Sequence, residues 1–171
     1  MRCPHLETIF ENLGEHDYDR DRVSPADLRY NCIAWAAGEN HRRWWPIRLG
    51  GYWWPPQLPP EDETLENFIR AFELLGYRKC RWRKSKLENG IEKIAIFVDD
   101  KEVPTHAARQ LDSGMWTSKC GVQLEDIEHK TFAALEGRAY GLVAVFLKRR
   151  RDGKPFLADR IRALINKILS K

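Results

Sequence analysis

The chain has 171 residues, of which 43% are hydrophobic and 32% charged, a composition that favours one soluble domain with a sizeable core. No run of about eighteen apolar residues occurs, so we expect no integral membrane segment. The net charge of +4 comes from residues 148–171, which carry nine basic and two acidic side chains, and the rest of the chain is slightly acidic. A slightly acidic body argues against nucleic-acid binding.

The N-terminal sequence and the cysteines indicate the compartment. Residues 1–17 lack the basic region and apolar core of a signal peptide, which predicts a cytoplasmic protein, although a specialised export machine would leave no such signal. We expect Cys3, Cys32, Cys80 and Cys120 to be free thiols, because no secretory signal and no CxxC pair is present. No Cys or His pair has zinc-ligand spacing, so we expect no metal and no other cofactor.

The first predicted elements are short. Residues 1–14 form a weakly amphipathic segment that ends at Gly14. The sequence SPAD at 24–27 predicts a helix start, with Ser24 as the cap and Pro25 at the first helical position. From the residues alone, this helix can continue to Gly38 or stop after one turn.

The middle of the chain alternates between irregular and helical patterns. Residues 41–60 contain four tryptophans, five prolines and a Gly-Gly pair, which rule out a regular element. Residues 62–77 predict a helix that stops at Gly76. Its apolar side chains at helical spacing are Leu65, Phe68, Ile69, Phe72 and Leu75.

The second half of the chain predicts mainly strands. In chain order we expect an exposed basic strand at 78–86, strands at 92–98, 105–111 and 115–121, a helix at 124–137, a buried strand at 140–149 and an amphipathic helix at 155–171. We expect the apolar stripe of this last helix to pack on the domain. The alternative is that the basic helix contacts a partner or a membrane surface.

Cys32 and His106 are the residues that suggest chemistry. A thiol at a helix N-terminus ionises more easily, and a nucleophilic thiol needs a base to accept its proton. Of the five histidines, His106 is the one expected on a core strand, where its neighbours Ala107 and Ala108 leave room for the imidazole. This pair suggests a Cys-His dyad.

A third group would orient the histidine. If residues 112–114 close a hairpin, then Ser118 is the polar residue diagonal to His106 on the next strand. Gln110 and Asp126 are the alternatives for this role.

The order of a helix cysteine, a strand histidine and a polar residue on the next strand resembles the layout of papain-like cysteine peptidases. NlpC-type cell-wall peptidases and CHAP-type amidases share this layout. More closely, NCIAWA, WWP, GGYWWP, EKIAIF, THAARQL, WTSK and DIEH resemble a bacterial family of uncharacterised domains, over roughly residues 31–148. The resemblance implies a short turn at 25–29 and then a new helix that Asn31 caps.

The fold that this resemblance implies is a single papain-like α+β domain over residues 1–171. N-terminal helices carrying the cysteine would pack on an antiparallel sheet carrying the histidine, and an amphipathic helix would follow. Residues 1–23 would be an N-terminal segment, 24–147 the core and 148–171 the basic helix.

The function that it implies is hydrolysis of an amide bond in a peptide or other amide substrate. Cys32 would be the nucleophile, His106 the base and Ser118 the orienting residue, at a position where papain has an asparagine. The Cys32 backbone N–H would stabilise the oxyanion, with Asn31 or Gln110 as a side-chain partner. Aromatic side chains would line the substrate groove: Trp44, Trp45, Trp53, Trp54 and Trp116.

Two other functions fit the same residues. One is a non-catalytic binding module, such as an effector or immunity-type domain, on the same scaffold. The other is an acyl or glutamyl transferase that uses the dyad with an amine acceptor.

Overall fold

The computed structural model describes residues 4–14, 16–19, 25–48, 50–81, 86–121 and 126–169. The helices are α1 (Pro4–Ile9), α2 (Cys32–Ala37), α3 (Leu65–Glu73) and α4 (Leu157–Leu169), with a 3-10 turn at Phe132–Leu135. The strands are β1 (Tyr18–Asp19), β2 (Arg43–Trp44), β3 (Tyr52–Trp53), β4 (Arg78–Cys80), β5 (Ile91–Val98), β6 (Pro104–Gln110), β7 (Trp116–Lys119), β8 (Asp126–His129) and β9 (Leu142–Arg150).

One seven-stranded antiparallel sheet organises the fold. Its strand order is β1-β8-β7-β6-β5-β9-β4, while β2 and β3 form a separate small parallel pair. The predicted mixture of helices and an antiparallel sheet is confirmed. None of the helices in the described part of the chain has the length and apolar content needed to cross a bilayer.

Both faces of the sheet are covered, and successive strand residues alternate between them. On the front face, α2 and α3 pack on a cluster that includes Ile94, Ile96 and Ala107. On the back face, α1 and the 3-10 turn pack on a cluster that includes Phe97 and Ala108. Because both faces are buried there, β5 is continuously apolar from Ile94 to Val98 rather than alternating.

The start of α2 agrees with the sequence prediction. The side chain of Asn31 caps the helix by accepting a hydrogen bond from the Ala34 N–H at 3.2 Å. Gly38 ends the helix in the left-handed conformation, with φ of 85°. The new helix after Asn31 is therefore confirmed, whereas residues 25–29 are irregular with a bend at 28–29.

The prediction of a helix at 124–137 is wrong for the described residues. Residues 126–129 form β8, which lies between β7 and β1, and only Phe132–Leu135 make a short 3-10 turn. Strand pairing and the burial of Ile127 and His129 outweigh the local preference for a helix.

The C-terminal helix forms as predicted, but it does not pack as predicted. Four apolar side chains at four-residue spacing are exposed to 49–79% of their surface: Leu157, Ile161, Ile165 and Leu169. For these four described side chains, the expected burial on the domain is wrong.

Candidate functional site

Cys32 is the first residue of α2 and is almost buried, with 8% of its surface exposed. Its sulfur lies 3.9 Å from the carbonyl oxygen of Thr105. Burial raises the pKa of the thiol to about 11, although the backbone N–H groups of Ala107, Ile33 and Cys32 itself act in the opposite direction. Desolvation therefore opposes the expected easy ionisation of the thiol more than the N–H groups favour it.

A pocket of about 280 Å³ opens beside this thiol. Its lining residues come from the start of α2, the tryptophan-rich segment at 41–60, β6 and the loops before β8 and β9: Asn31, Cys32, Trp45, Ile47, Tyr52, Thr105, Gly121 and Tyr140. Aromatic and apolar side chains dominate the wall, so the pocket favours an apolar group.

His106 lies on the back face of the sheet and is fully buried. Its ring stacks on the ring of Tyr140, with centroids 4.0 Å apart and planes 7° apart, and meets Phe97 edge-on. Ala107, the next residue along β6, faces α2 in the front cluster that contains Cys32.

The structure thus does not bring the predicted dyad together. Because neighbouring strand residues point to opposite faces, the His106 side chain points away from the face on which α2 packs. Among the hydrogen bonds of the described residues, none joins Cys32 to His106, and the Nδ1 atom of His106 has no partner. The catalytic roles of both residues remain predictions.

Ser118 connects His106 to a second buried histidine. Its hydroxyl oxygen lies 3.0 Å from Nε2 of His106 and 3.0 Å from Nε2 of His129. Nδ1 of His129 donates to the carbonyl oxygen of Thr131 at 2.7 Å. Ser118 therefore lies next to His106, as the hairpin register predicted. His129, which is absent from the predicted site, completes this series of hydrogen bonds.

The hydrogen bonds from His106 through Ser118 to His129 define the tautomer of each ring. With its proton on Nδ1, His129 accepts the Ser118 hydroxyl proton at Nε2, and the Ser118 oxygen then accepts from the Nε2–H of His106. Nδ1 of His106 is left as an unused lone pair. Burial lowers the pKa of His129 to about 4, and burial together with His129 lowers the pKa of His106, so both rings are neutral at pH 7.

Tyr140, which is absent from the predicted site, links the two parts of the site. Its ring covers His106, and the same residue lines the pocket of Cys32. The following residue, Gly141, has φ of 73°, and a Cβ atom there would lie 1.8 Å from the Val98 carbonyl oxygen. The Tyr-Gly pair before a strand is the sequence signal that could have indicated this position, since only glycine permits such a close approach to the backbone of Val98.

The other predicted polar residues have structural contacts. The Asn31 side chain accepts from the Trp44 N–H at 3.0 Å and donates to the Trp44 carbonyl at 2.8 Å, so it fixes the loop as well as the helix. Asp126 is bonded to the Tyr30 hydroxyl and lies 3.7 Å from the buried ammonium of Lys119. Gln110 is four residues beyond His106, about 13 Å along the strand.

The five predicted groove tryptophans lie in different places. Trp45 lines the pocket, whereas Trp44 is buried against Trp53 with ring centroids 4.4 Å apart. Trp54 packs on Phe68 of α3. Trp116 is buried on the back face, against aromatic side chains of the 3-10 turn and β9. In the described part of the chain, no group of three His, Cys, Asp or Glu side chains could hold a metal ion.

The comparison with protein families decides the classification. Residues 21–148 match the family described as a domain of unknown function, DUF7689. The chain belongs to this family. The predicted membership of an uncharacterised domain family is therefore confirmed, and no match links the chain to papain-like peptidases. No curated protein and no solved structure matches the chain.

In this DUF7689 domain, the chemistry-bearing residues form two groups on opposite faces of the sheet. The front group is Cys32 with its pocket, and the back group is the chain from His106 through Ser118 to His129. Tyr140 contacts both groups. At neutral pH the thiol and both imidazoles are uncharged, so the resting site holds no ionised nucleophile.

Proposed function

We propose that this domain is a binding module that accepts one apolar or aromatic group in the Cys32 pocket. The observation that carries the proposal is the thiol itself: Cys32 is uncharged, belongs to a buried apolar cluster and faces a pocket with aromatic walls. Such a thiol behaves as a small hydrophobic surface rather than as a nucleophile.

The size and the walls of the pocket restrict the ligand. A volume of about 280 Å³ accommodates a group the size of one large side chain, not a whole drug-sized ligand. Trp45, Tyr52 and Tyr140 supply aromatic surface to the lining, and the Asn31 amide beside them is bonded to Trp44. An aromatic ring, such as an aromatic side chain of a peptide or a small aromatic compound, fits this chemistry.

Two tryptophans provide a matched test. Trp45 and Trp54 are both half-buried and both pack on Phe68, with centroid distances of 5.1 and 5.0 Å, but only Trp45 lines the pocket. Titration with indole and with 4-methylphenol, followed by NMR chemical shifts, should show saturable binding to the wild type and to Trp54→Ala. Trp45→Ala should bind about fivefold more weakly, since an aromatic pair contributes about 1 kcal/mol. Equal binding by both variants, or no saturable binding at all, contradicts the proposal.

A second candidate function is hydrolysis or acyl transfer on an amide by a papain-like mechanism, and two features of the site favour it. The N–H groups of Cys32, Ile33 and Ala107 act on the sulfur and would stabilise a thiolate, and the lone pair of His106 Nδ1 is unused. In this mechanism His106 accepts the Cys32 proton, the sulfur attacks the carbonyl carbon, and the amine leaves with that proton. Water or an acceptor amine then cleaves the thioester.

This candidate requires a rearrangement of the site, because His106 lies on the face opposite to α2 and the Tyr140 ring covers its imidazole. Labelling with a panel of electrophilic amide and ester probes tests it, with Cys32→Ala and His106→Gln as controls. Covalent labelling that needs both residues would favour the enzyme over the binding module. Labelling that needs neither would remove the enzyme from consideration.

A further inference from the structure

The apolar stripe of α4 is the largest set of exposed aliphatic side chains on one element in the described chain. Its members recur every fourth residue, so they lie on one side of the helix: Leu157, Ile161, Ile165 and Leu169. Each is between 49% and 79% exposed. An apolar stripe of this kind on a basic helix is typical of a helix that lies in a membrane–water interface.

The fold places the basic strand β4 beside the start of this helix. Residues 78–86 contain six basic and no acidic side chains, and their first part forms β4, which pairs with β9. Arg78 of β4 lies 3.5 Å from the Asp159 carboxylate, and its guanidinium lies 3.5 Å from the ring centroid of Phe156. These contacts fix the first turn of α4 against the edge strand of the sheet.

The charge is divided between two parts of the sequence, although Glu66, Glu88 and Glu92 from the acidic part pair with Lys79, Lys148 and Arg149 in the fold. Residues 78–86 and 148–171 together carry fifteen basic and two acidic side chains, a net charge of +13. Because the whole chain has a net charge of +4, the remainder carries −9. Several of the basic side chains at this edge are exposed, among them Arg81, Lys154 and Arg160.

We propose that α4 and the β4 edge form a surface that docks on an anionic lipid membrane. The stripe would enter the boundary between headgroups and acyl chains, while the basic side chains would bind the negative headgroups. The charge complementarity selects this occupant. A second copy of the chain would bring another helix of the same positive charge against the stripe, which disfavours self-association.

Vesicle co-sedimentation of the full chain tests the proposal, and the test is independent of the Cys32 pocket. Vesicles of phosphatidylcholine mixed with phosphatidylserine should bind the protein, whereas vesicles of phosphatidylcholine alone should not. Raising the salt concentration should release the protein, because salt screens the headgroup charge. The double variant Ile161→Ser/Ile165→Ser should lose about tenfold or more in vesicle affinity.

Two controls separate the stripe from general effects. Leu74 and Leu142 are similarly exposed leucines outside α4, so Leu74→Ser/Leu142→Ser should keep the affinity of the wild type. Arg160→Glu should reduce binding several-fold with an unchanged melting temperature, since its side chain is exposed. This charge variant keeps the test valid if the stripe variant fails to fold.

Three results would overturn the proposal. One is binding to neutral vesicles as tight as to anionic ones. Another is binding to anionic vesicles that the stripe variant retains in full. The third is a dimer in analytical ultracentrifugation that the stripe variant abolishes, without any vesicle binding by the wild type, which would assign the surface to a second copy.

Discussion

Nε2 of His106 lies 3.0 Å from the hydroxyl oxygen of Ser118, on the sheet face opposite to α2. The same hydroxyl serves His129, so one small side chain satisfies two buried imidazoles. An unsatisfied buried polar group costs about 1–3 kcal/mol. The Ser118 hydroxyl therefore stabilises the fold by providing the hydrogen-bond partner of both imidazoles.

Replacing Ser118 by alanine should destabilise the protein, because both Nε2 atoms would lose their partner. We expect the free energy of unfolding to fall by about 2–4 kcal/mol. Urea denaturation followed by circular dichroism measures this change. Ser113→Ala, in the exposed turn before β7, is the matched control and should change the stability by less than about 0.5 kcal/mol. Equal stabilities of the two variants would show that the histidines find other partners.

Stability should also depend on pH through His129. Burial lowers its pKa from 6.5 to about 4 in the folded state, so the folded protein favours the neutral ring. The stabilisation is complete above about pH 6.5 and is lost as the pH falls toward 4, because only the unfolded chain binds a proton in that window. The loss from this group should reach about 3 kcal/mol.

Melting temperatures measured from pH 7.5 to pH 4 test this dependence. His129→Gln should lower the stability at neutral pH and flatten the pH profile. His41 has a side chain that is 69% exposed, so His41→Gln should leave the profile as in the wild type. An unchanged slope in His129→Gln would assign the acid sensitivity to other groups.

The thiol of Cys32 should react slowly in the folded protein. With a pKa of about 11, its thiolate fraction at pH 7 is about 100-fold smaller than that of an ordinary thiol with a pKa of 9.0. Among the three described cysteines, we expect iodoacetamide to label the half-buried Cys80 first, and to label Cys32 at a rate that rises about tenfold per pH unit up to pH 10. Mass spectrometry of timed samples resolves the individual cysteines.

Unfolding in guanidinium chloride supplies the control for this experiment, because it should bring Cys32 and Cys80 to similar rates. If Cys32 is instead the faster of the two in the folded state, its sulfur is activated, and the hydrolase becomes the better of the two proposed functions.

Local sequence signals were enough to predict parts of the site. The Asn31 cap and the glycine stop define α2, and the turn at 112–114 sets the register in which Arg109 pairs with Thr117. This register puts Ser118 diagonal to His106, as predicted. Capping residues and turn residues act through their own neighbours, so these features can be predicted from a short stretch of chain.

The face on which His106 lies could not be predicted in this way. Strand β6 is buried on both sides, so His106 and Ala107 are equally inaccessible and no alternation of polar and apolar residues marks the side toward α2. The helix predicted at 124–137 failed for a related reason, because β8 exists only through its pairing with β7 and β1. Both features depend on distant parts of the chain.

Gly141 and Gly51 provide a final test, of how the position of Tyr140 is maintained. Both glycines have φ of 73°, but an added Cβ atom at Gly51 meets nothing within 4 Å, whereas at Gly141 it would lie 1.8 Å from the Val98 carbonyl oxygen. Gly51→Ala should cost about 1 kcal/mol for the backbone conformation alone. Gly141→Ala should cost at least about 2 kcal/mol more, because the loop must move away from β5. Since that movement shifts Tyr140, Gly141→Ala should also weaken binding of indole to the pocket, whereas Gly51→Ala should not. Equal losses of stability in the two variants, measured by urea denaturation, would mean that the loop before β9 tolerates displacement.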